Sequence, residues 1–176
     1  MPSLIKDRAI VEDGWALLRD AVSLADVAGG VPVIVPLELW QQEKVSLSVR
    51  GNVGVWLKPA DDPDSLAGDV GTLPLIAIDF PKFVDGRGYS IARLLRDKYG
   101  FRGELRAIGD VLRDQLYYLR QCGFDAFAMR SDRDLAEAVA SLDDFSDNYQ
   151  STTLRPVPLF RRRETASTGR EPPLVP

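Results

Sequence analysis

An α/β domain with a mainly parallel sheet is the fold class this chain predicts, on three observations. Five short apolar runs recur along it: "VPVIV" (31–35), "VGVWL" (53–57), "LPLIAIDF" (73–80), "ELRAIG" (104–109) and "DAFAM" (125–129). The stretches between them are long enough for crossover connections, and most carry apolar residues at helical rather than alternating spacing. The length, 176 residues, suits one domain with a tail. Five strand–helix units fall short of the eight in a closed barrel, which typically takes about 250 residues. An open, doubly wound sheet is therefore favoured. A partial TIM-barrel-like sheet is the alternative, because Ala77 and Asp79 alternate with Ile76 and Ile78, whereas strands covered on both faces read as unbroken apolar runs.

Each element has its own signal. "LIKDRAIVEDGWALL" reads as an opening hairpin with "EDG" as its turn. "LELWQQEKVSLSV" loosely fits a helix through Leu37, Trp40, Val45 and Leu47, and "KPADDPDSLAGDVG" follows the second run as an acidic link. In "SIARLLRDKY", Ile91, Leu94, Leu95 and Tyr99 share one helical face, which leaves Arg93, Arg96, Asp97 and Lys98 as a solvated one. "DVLRDQLYYLRQCG" has Asp110 as its N-cap and Gly123 as its stop. "SDRDLAEAVASLDDF" opens on Ser131 with Asp134 three residues on, a variant capping box. Residues 1–150 thus form a single α/β domain. Residues 151–176, rich in Pro and Arg, are expected to be a disordered tail, although "TLRPVPLF" can dock as an extended segment.

Composition narrows the chemistry. The chain has no histidine and one cysteine, which excludes Ser-His-Asp and Cys-His catalysis, His-ligated zinc and thiolate-held iron–sulfur clusters. Neither "GxGxxG" nor "GxxxxGK[ST]" occurs. The formal net charge of −4 argues against a nucleic-acid partner. No apolar run approaches the ~18 residues of a membrane span, and the N-terminus has no signal-peptide core. The expectation is a cytoplasmic protein with no nucleic acid or membrane as its partner.

Ligands of α/β sheets bind beyond the carboxyl ends of the strands, and that rule selects the candidate site. Lys58 follows the second run, Lys82, Asp85 and Arg87 the third, Asp110 the fourth and Arg130 the fifth. Within "DGRGYS", Gly86 and Gly88 let the backbone approach a ligand, and Tyr89 and Ser90 offer hydroxyls. The helix that follows presents free N–H groups and a positive dipole end. The loop reads as an anion-binding site, or else as a tight turn in which Asp85 caps the helix and Arg87 pairs with a nearby carboxylate. Asp79 and Arg106 are expected to pair across adjacent strands. Cys122, Tyr117 and Tyr118 read as packing residues.

The stretch "FPKFVDGRGYSIARLLRDKYGFRGELRAIGDVLRDQLYYLRQCGFDAF" (80–127), with "VPLELW" and "VGVWLKPADDPDSLAGDV" upstream, resembles the domain-of-unknown-function 934 family, and the resemblance covers most of residues 1–150. It implies an association with assimilatory sulfate and sulfite reduction, near whose genes members are typically encoded, and it carries over no catalytic residue. Some members are labelled oxidoreductases linked to sulfite reduction, but no acid–base or redox constellation is visible in this chain, and the expected function is therefore that of an accessory protein, binding a small anionic ligand or docking on sulfite reductase or another sulfate-assimilation enzyme. The alternative is an oxidoreductase of sulfite reduction with a borrowed cofactor, NADPH or flavin.

Overall fold

The computed structural model describes residues 2–27, 29–130, 134–145 and 147–162. Eight strands form one sheet: β1 (Ser3–Lys6), β2 (Ala9–Glu12), β3 (Ala16–Leu17), β4 (Val33–Pro36), β5 (Val53–Leu57), β6 (Leu75–Phe80), β7 (Glu104–Gly109) and β8 (Ala126–Phe127). The five apolar runs are β4 to β8. The helices are α1 (Leu37–Arg50), α2 (Arg87–Arg93), α3 (Leu116–Gln121) and α4 (Leu135–Ser141). Between β5 and β6 there is a single tight helical turn, Pro63–Leu66, N-capped by Asp62. α2 runs on to Lys98 in wider turns, closing with Tyr99 N donating to Leu94 O at 3.1 Å.

Sheet order is β2-β1-β8-β7-β6-β5-β4-β3. From β3 to β8 the strands are parallel and follow the chain in sequence, while β1 pairs antiparallel with both β8 and β2. A doubly wound sheet reverses its order at a switch point; this one never does. All four helices accordingly pack on one face, contributing Trp40, Ile91, Leu119 and Ala138 among others to one large apolar cluster. The opposite face holds a small second cluster of Ile34, Trp56, Leu75, Ala77 and Ile108, with Trp15 and Leu17 packed against it. The architecture is therefore the partial barrel, a curled half-barrel whose small cluster lies on its concave side.

The curl follows from the chain itself. Eight strands at ~4.8 Å spacing make a flat sheet roughly 34 Å wide. β2 and β3 lie at its opposite edges, yet the step from Glu12 to Ala16 spans at most about 14 Å. Asp13 N donates to Pro2 O at 2.8 Å and Ala16 N to Pro32 O at 2.9 Å, which ties the link at both ends. Trp15, in mid-link, enters the concave cluster.

Arg106 anchors this link from the far wall. Its side chain is 3% exposed, with Nη1 donating to both Asp13 carboxylate oxygens at 3.0 and 2.9 Å and Nε to Glu104 Oε1 at 2.7 Å. Lys6 Nζ completes the group at 2.7 Å from Glu104 Oε2. The expected Asp79–Arg106 pair does not form. Register sets Arg106 opposite Ala77 and Asp79 opposite Ile108, and Asp79 pairs with Arg19 instead.

Other local expectations also shift. The hairpin turns at Asp7 and Arg8, both at positive φ (47° and 68°), rather than at "EDG". Asp110 caps no helix, because a tight turn, Arg113–Gln115, precedes α3. α4 is capped by Asp134, whose carboxylate accepts from Ala136 N and Glu137 N; Ser131 lies outside the described residues. Arg96 is no solvated side chain, since it donates to the carbonyls of Phe101, Gly103 and Gly123 and pairs with Asp125. Of the expected tail, residues 163–176 lie outside the described residues. The described part docks, with Thr153 N donating to Gln121 O and Thr152 Oγ1 to Gln121 Oε1.

Removing one partner of a buried ion pair strands the other's charge, at about 3–5 kcal/mol. Asp13→Ala leaves Arg106 with Glu104, itself shared with Lys6, and is expected to lower the free energy of unfolding in urea by about 3 kcal/mol. Adding Arg106→Met, which removes the stranded charge at similar volume, should recover part of that loss. If Asp13→Ala unfolds at the wild-type urea concentration, the link is not what holds the curl.

Candidate functional site

Half-barrels and barrels alike gather the strand–helix loops at the carboxyl ends of their parallel strands. At that mouth lie Arg19, two residues past β3; Glu38, in the first turn of α1; Lys58, directly after β5; Lys82, after β6; Asp110, after β7; and Arg130, after β8. A cleft of about 500 Å³ opens on the β3–β5 side of the mouth, and Arg19, Asp20, Pro36, Glu38, Gln42 and Lys58 are among its walls. Of the ten residues that the sequence singles out, Lys58 alone lines it.

Trp56 supports this cleft from below. Its indole Nε1 donates to Leu18 O at 3.1 Å, which fixes the ring. The guanidinium of Arg19 lies 5.7 Å and the ammonium of Lys58 5.8 Å from the ring centroid, both within cation–π range. Arg19 Nη2 donates to Asp79 Oδ1 at 2.9 Å. Asp79, 10% exposed at its side chain, faces Arg19, which is 42% exposed. Lys58 pairs with Glu38, and both are about half exposed. The hydrogen bond from Lys58 holds the Glu38 carboxyl below the usual carboxylate range, and the same bond raises the Lys58 ammonium. Arg19 uses one of its five N–H donors on Asp79 and Lys58 one of its three on Glu38, so each has donors left for a ligand oxygen.

On the other half of the mouth, the "DGRGYS" loop is closed upon itself. Asp85 accepts from Arg87 Nε at 2.9 Å and from Nη2 at 2.7 Å, and also from the Arg87 backbone N–H at 3.2 Å. This bidentate pair holds the Asp85 carboxyl down and raises Arg87. Gly86 precedes the first residue of α2. Gly88 is small for packing: a Cβ there would stand 2.6 Å from Phe80 Cζ and 3.1 Å from Ile78 Cγ2. Tyr89 is half-buried, edge-on to Phe80 with ring centroids 5.4 Å apart, and its hydroxyl accepts from Gln115 Nε2 at 3.2 Å; burial pushes that hydroxyl's pKa up. Ser90 is exposed on the helix. Lys82 is exposed as well and pairs with no carboxylate among the described residues. Asp110 accepts from Phe83 N at 3.2 Å and from Arg130 Nη1 at 3.3 Å, which joins the loops after β6, β7 and β8.

The sequence reading missed Arg19, Glu38 and Asp79 as mouth residues. Arg19 follows "WALL", taken as the return of a hairpin, and only the strand order shows that Ala16–Leu17 starts the parallel set. Cys122 is buried, as expected, and burial pushes its thiol's pKa up, away from thiolate reactivity. Among the described residues there is no group of three or more His, Cys, Asp or Glu able to hold a metal ion. No helix among them is long and apolar enough to cross a membrane.

No curated protein matches the chain. A family model described as a bacterial protein of unknown function, DUF934, matches residues 54–160, from inside β5 to the docked segment beyond α4, which is more than half of the chain. The matched stretch takes in the 80–127 signature, the "DGRGYS" half of the mouth and, of the cleft's walls, Lys58, and the chain belongs to the DUF934 family.

Proposed function

We propose that this protein is a non-catalytic accessory of assimilatory sulfate and sulfite reduction that holds a small oxyanion at the mouth of the half-barrel. The observation that carries the binding half is the pair of cations, Arg19 and Lys58, which stand 5.7 and 5.8 Å from the Trp56 ring centroid and both line a cleft of about 500 Å³. Sulfite and sulfate present several acceptor oxygens, matched by the remaining donors of a guanidinium and an ammonium. Asp79 fixes the guanidinium from behind. Asp20 and Glu38 stand on the same rim, so the seat is no bare basic patch, and an arriving anion takes the place of Glu38 on Lys58. The pathway half rests on the family resemblance alone. Docking on sulfite reductase or a neighbouring enzyme of that pathway is part of the same reading.

A charge-assisted hydrogen bond contributes about 1.5–3 kcal/mol. Arg19→Ala and Lys58→Ala are therefore each expected to weaken sulfite or sulfate binding roughly ten- to a hundredfold by calorimetry. Arg87→Ala should leave affinity within about twofold, since Arg87 is already closed on Asp85. A loss confined to Arg87→Ala and Lys82→Ala would move the site to the "DGRGYS" loop. A wild-type protein that shows no saturable binding of either anion defeats both placements. NADPH or flavin released on denaturation, seen by mass spectrometry, would turn the reading to the oxidoreductase.

The directions of the titrations give a second expectation. Glu38 is held low and Lys58 high, so neither changes charge between about pH 5 and 9. Affinity for sulfate, fully ionised throughout, should be flat over that range and rise only in acid, as Glu38 protonates and releases Lys58. Glu38→Gln should reproduce that rise at neutral pH, tightening sulfate binding several-fold. An affinity that falls on Glu38→Gln would mean that the carboxylate helps to hold the ligand.

A further inference from the structure

A second cavity, of about 340 Å³, lies on the outer side of the molecule between α3, Arg93 of α2 and the segment 148–152 that returns across them. That volume falls within the range of small-molecule sites, ~300–1,000 Å³. Its walls are held firmly. The Tyr118 ring packs on Tyr89 with centroids 5.1 Å apart, and Tyr89 packs on Phe80. The Tyr117 ring meets Phe145 edge-on at 5.0 Å. The returning segment is pinned by Thr153 N donating to Gln121 O at 3.2 Å and Leu159 N to Tyr149 O at 3.0 Å.

Two lining residues of this cavity carry a polar atom without a protein partner among the described residues: Asn148, whose Oδ1 is buried, and Gln121. Gln121 is 6% exposed and lines the cavity. Thr152 Oγ1 accepts from Arg155 N at 3.1 Å and donates to Gln121 Oε1 at 3.0 Å. Gln121 Nε2 has no acceptor among the described residues. That nitrogen is not among the buried unpaired atoms, so it is open to the cavity, where a ligand oxygen can meet it. Arg93 lines the same cavity, and its one hydrogen bond among the described residues is a long one, Nε to Asp97 at 3.4 Å. Its terminal guanidinium nitrogens remain free to meet an anion.

We infer that this cavity is a binding site for a small aromatic acid. The ring lies among Tyr117, Tyr118 and Tyr149, and the carboxylate accepts from Gln121 Nε2 and Arg93. Rings gain from offset or edge contact with tyrosines, and a carboxylate satisfies both donors at once. Neither residue belongs to the barrel mouth, so this site is independent of the proposed oxyanion seat.

Benzoate is the probe, with benzyl alcohol as the ring without the charge and acetate as the charge without the ring. In saturation-transfer NMR and calorimetry on the full chain, benzoate should bind saturably and at least about tenfold more tightly than either control. Gln121→Glu keeps an oxygen for Thr152 and turns the open donor into a carboxylate oxygen; it should abolish benzoate binding. Arg93→Ala, at an exposed side chain with no other packing role, should weaken it about tenfold at an unchanged melting temperature. Arg19→Ala, in the other site, should leave it unchanged. The proposal fails if benzoate does not saturate, if acetate binds as well, or if Arg93→Ala binds benzoate as the wild type does.

Discussion

The Arg106 guanidinium, buried on the concave face between Asp13 and Glu104, is the interaction from which the rest of the architecture follows. A lone buried cation would cost several kcal/mol. Here two carboxylates offset that cost, and one of them belongs to the link between the two edges of the sheet. Closing the link draws β3 toward the far wall and puts Trp15 inside. It also fixes where Arg19 can reach. β3 and β6 are three strands apart, about 14 Å in a flat sheet, yet Arg19, two residues past β3, bonds Asp79 of β6 at 2.9 Å. Curling the sheet shortens the gap that this side chain crosses, beside Trp56. The geometry of the mouth is thus a consequence of the curl, and the curl depends on a buried ion pair distant in sequence.

Sequential strand order has a second consequence. With every crossover on one face, that face receives all the helices and the large cluster, while the concave face has to be filled by side chains alone. Two tryptophans, Trp15 and Trp56, fill it together with Ile34, Leu75, Ala77 and Ile108. The smallness of this cluster explains why charged groups are tolerated there. Glu104, Arg106 and Asp79 occupy the inward positions of β6 and β7 that a two-layered sandwich would need to make apolar, and each is matched by a charge from the N-terminal strands or their links: Lys6, Asp13 or Arg19.

What the sequence made legible was local. The strands β4 to β8 stood out because each is a run of apolar residues between breakers, and the alternation around Ala77 and Asp79 already pointed to a sheet with unlike faces. The stop at Gly123, at φ 103°, was legible too. The hairpin turn was not, because Asp7 and Arg8 take left-handed conformations without a glycine to announce them, while "EDG" carried the stronger turn signal. Arg96 looked solvated because it follows Arg93 by three residues and is itself followed by Asp97 and Lys98. Its actual partners are three carbonyls and Asp125, contributed by the loop after α2 and the turn after α3. Asp79 and Arg106 were read as partners from their positions on adjacent strands. Register separated them by two residues, and each turned to an N-terminal partner that no local pattern links to it.

The two halves of the mouth differ in a way that bears on what each can do. In "DGRGYS" the cation and the carboxylate are two residues apart, share a bidentate bond and form a closed unit, and Gly88 serves the packing of α2 on Phe80. An anion there would have to break the best-formed hydrogen bonds of the loop. Over Trp56 the two cations come from different loops, each holds its carboxylate by a single bond, and both face a cleft. Exchange of partners is cheaper at this second place, because the donors that remain are already oriented. The same arrangement works against acid–base chemistry at neutral pH: a useful general acid or base has a pKa near the working pH, whereas the Glu38–Lys58 pair drives its two members apart, the carboxyl down and the ammonium up. A cleft built in this way is suited to exchanging one anion for another and holding it, and not to moving a proton between Glu38 and Lys58.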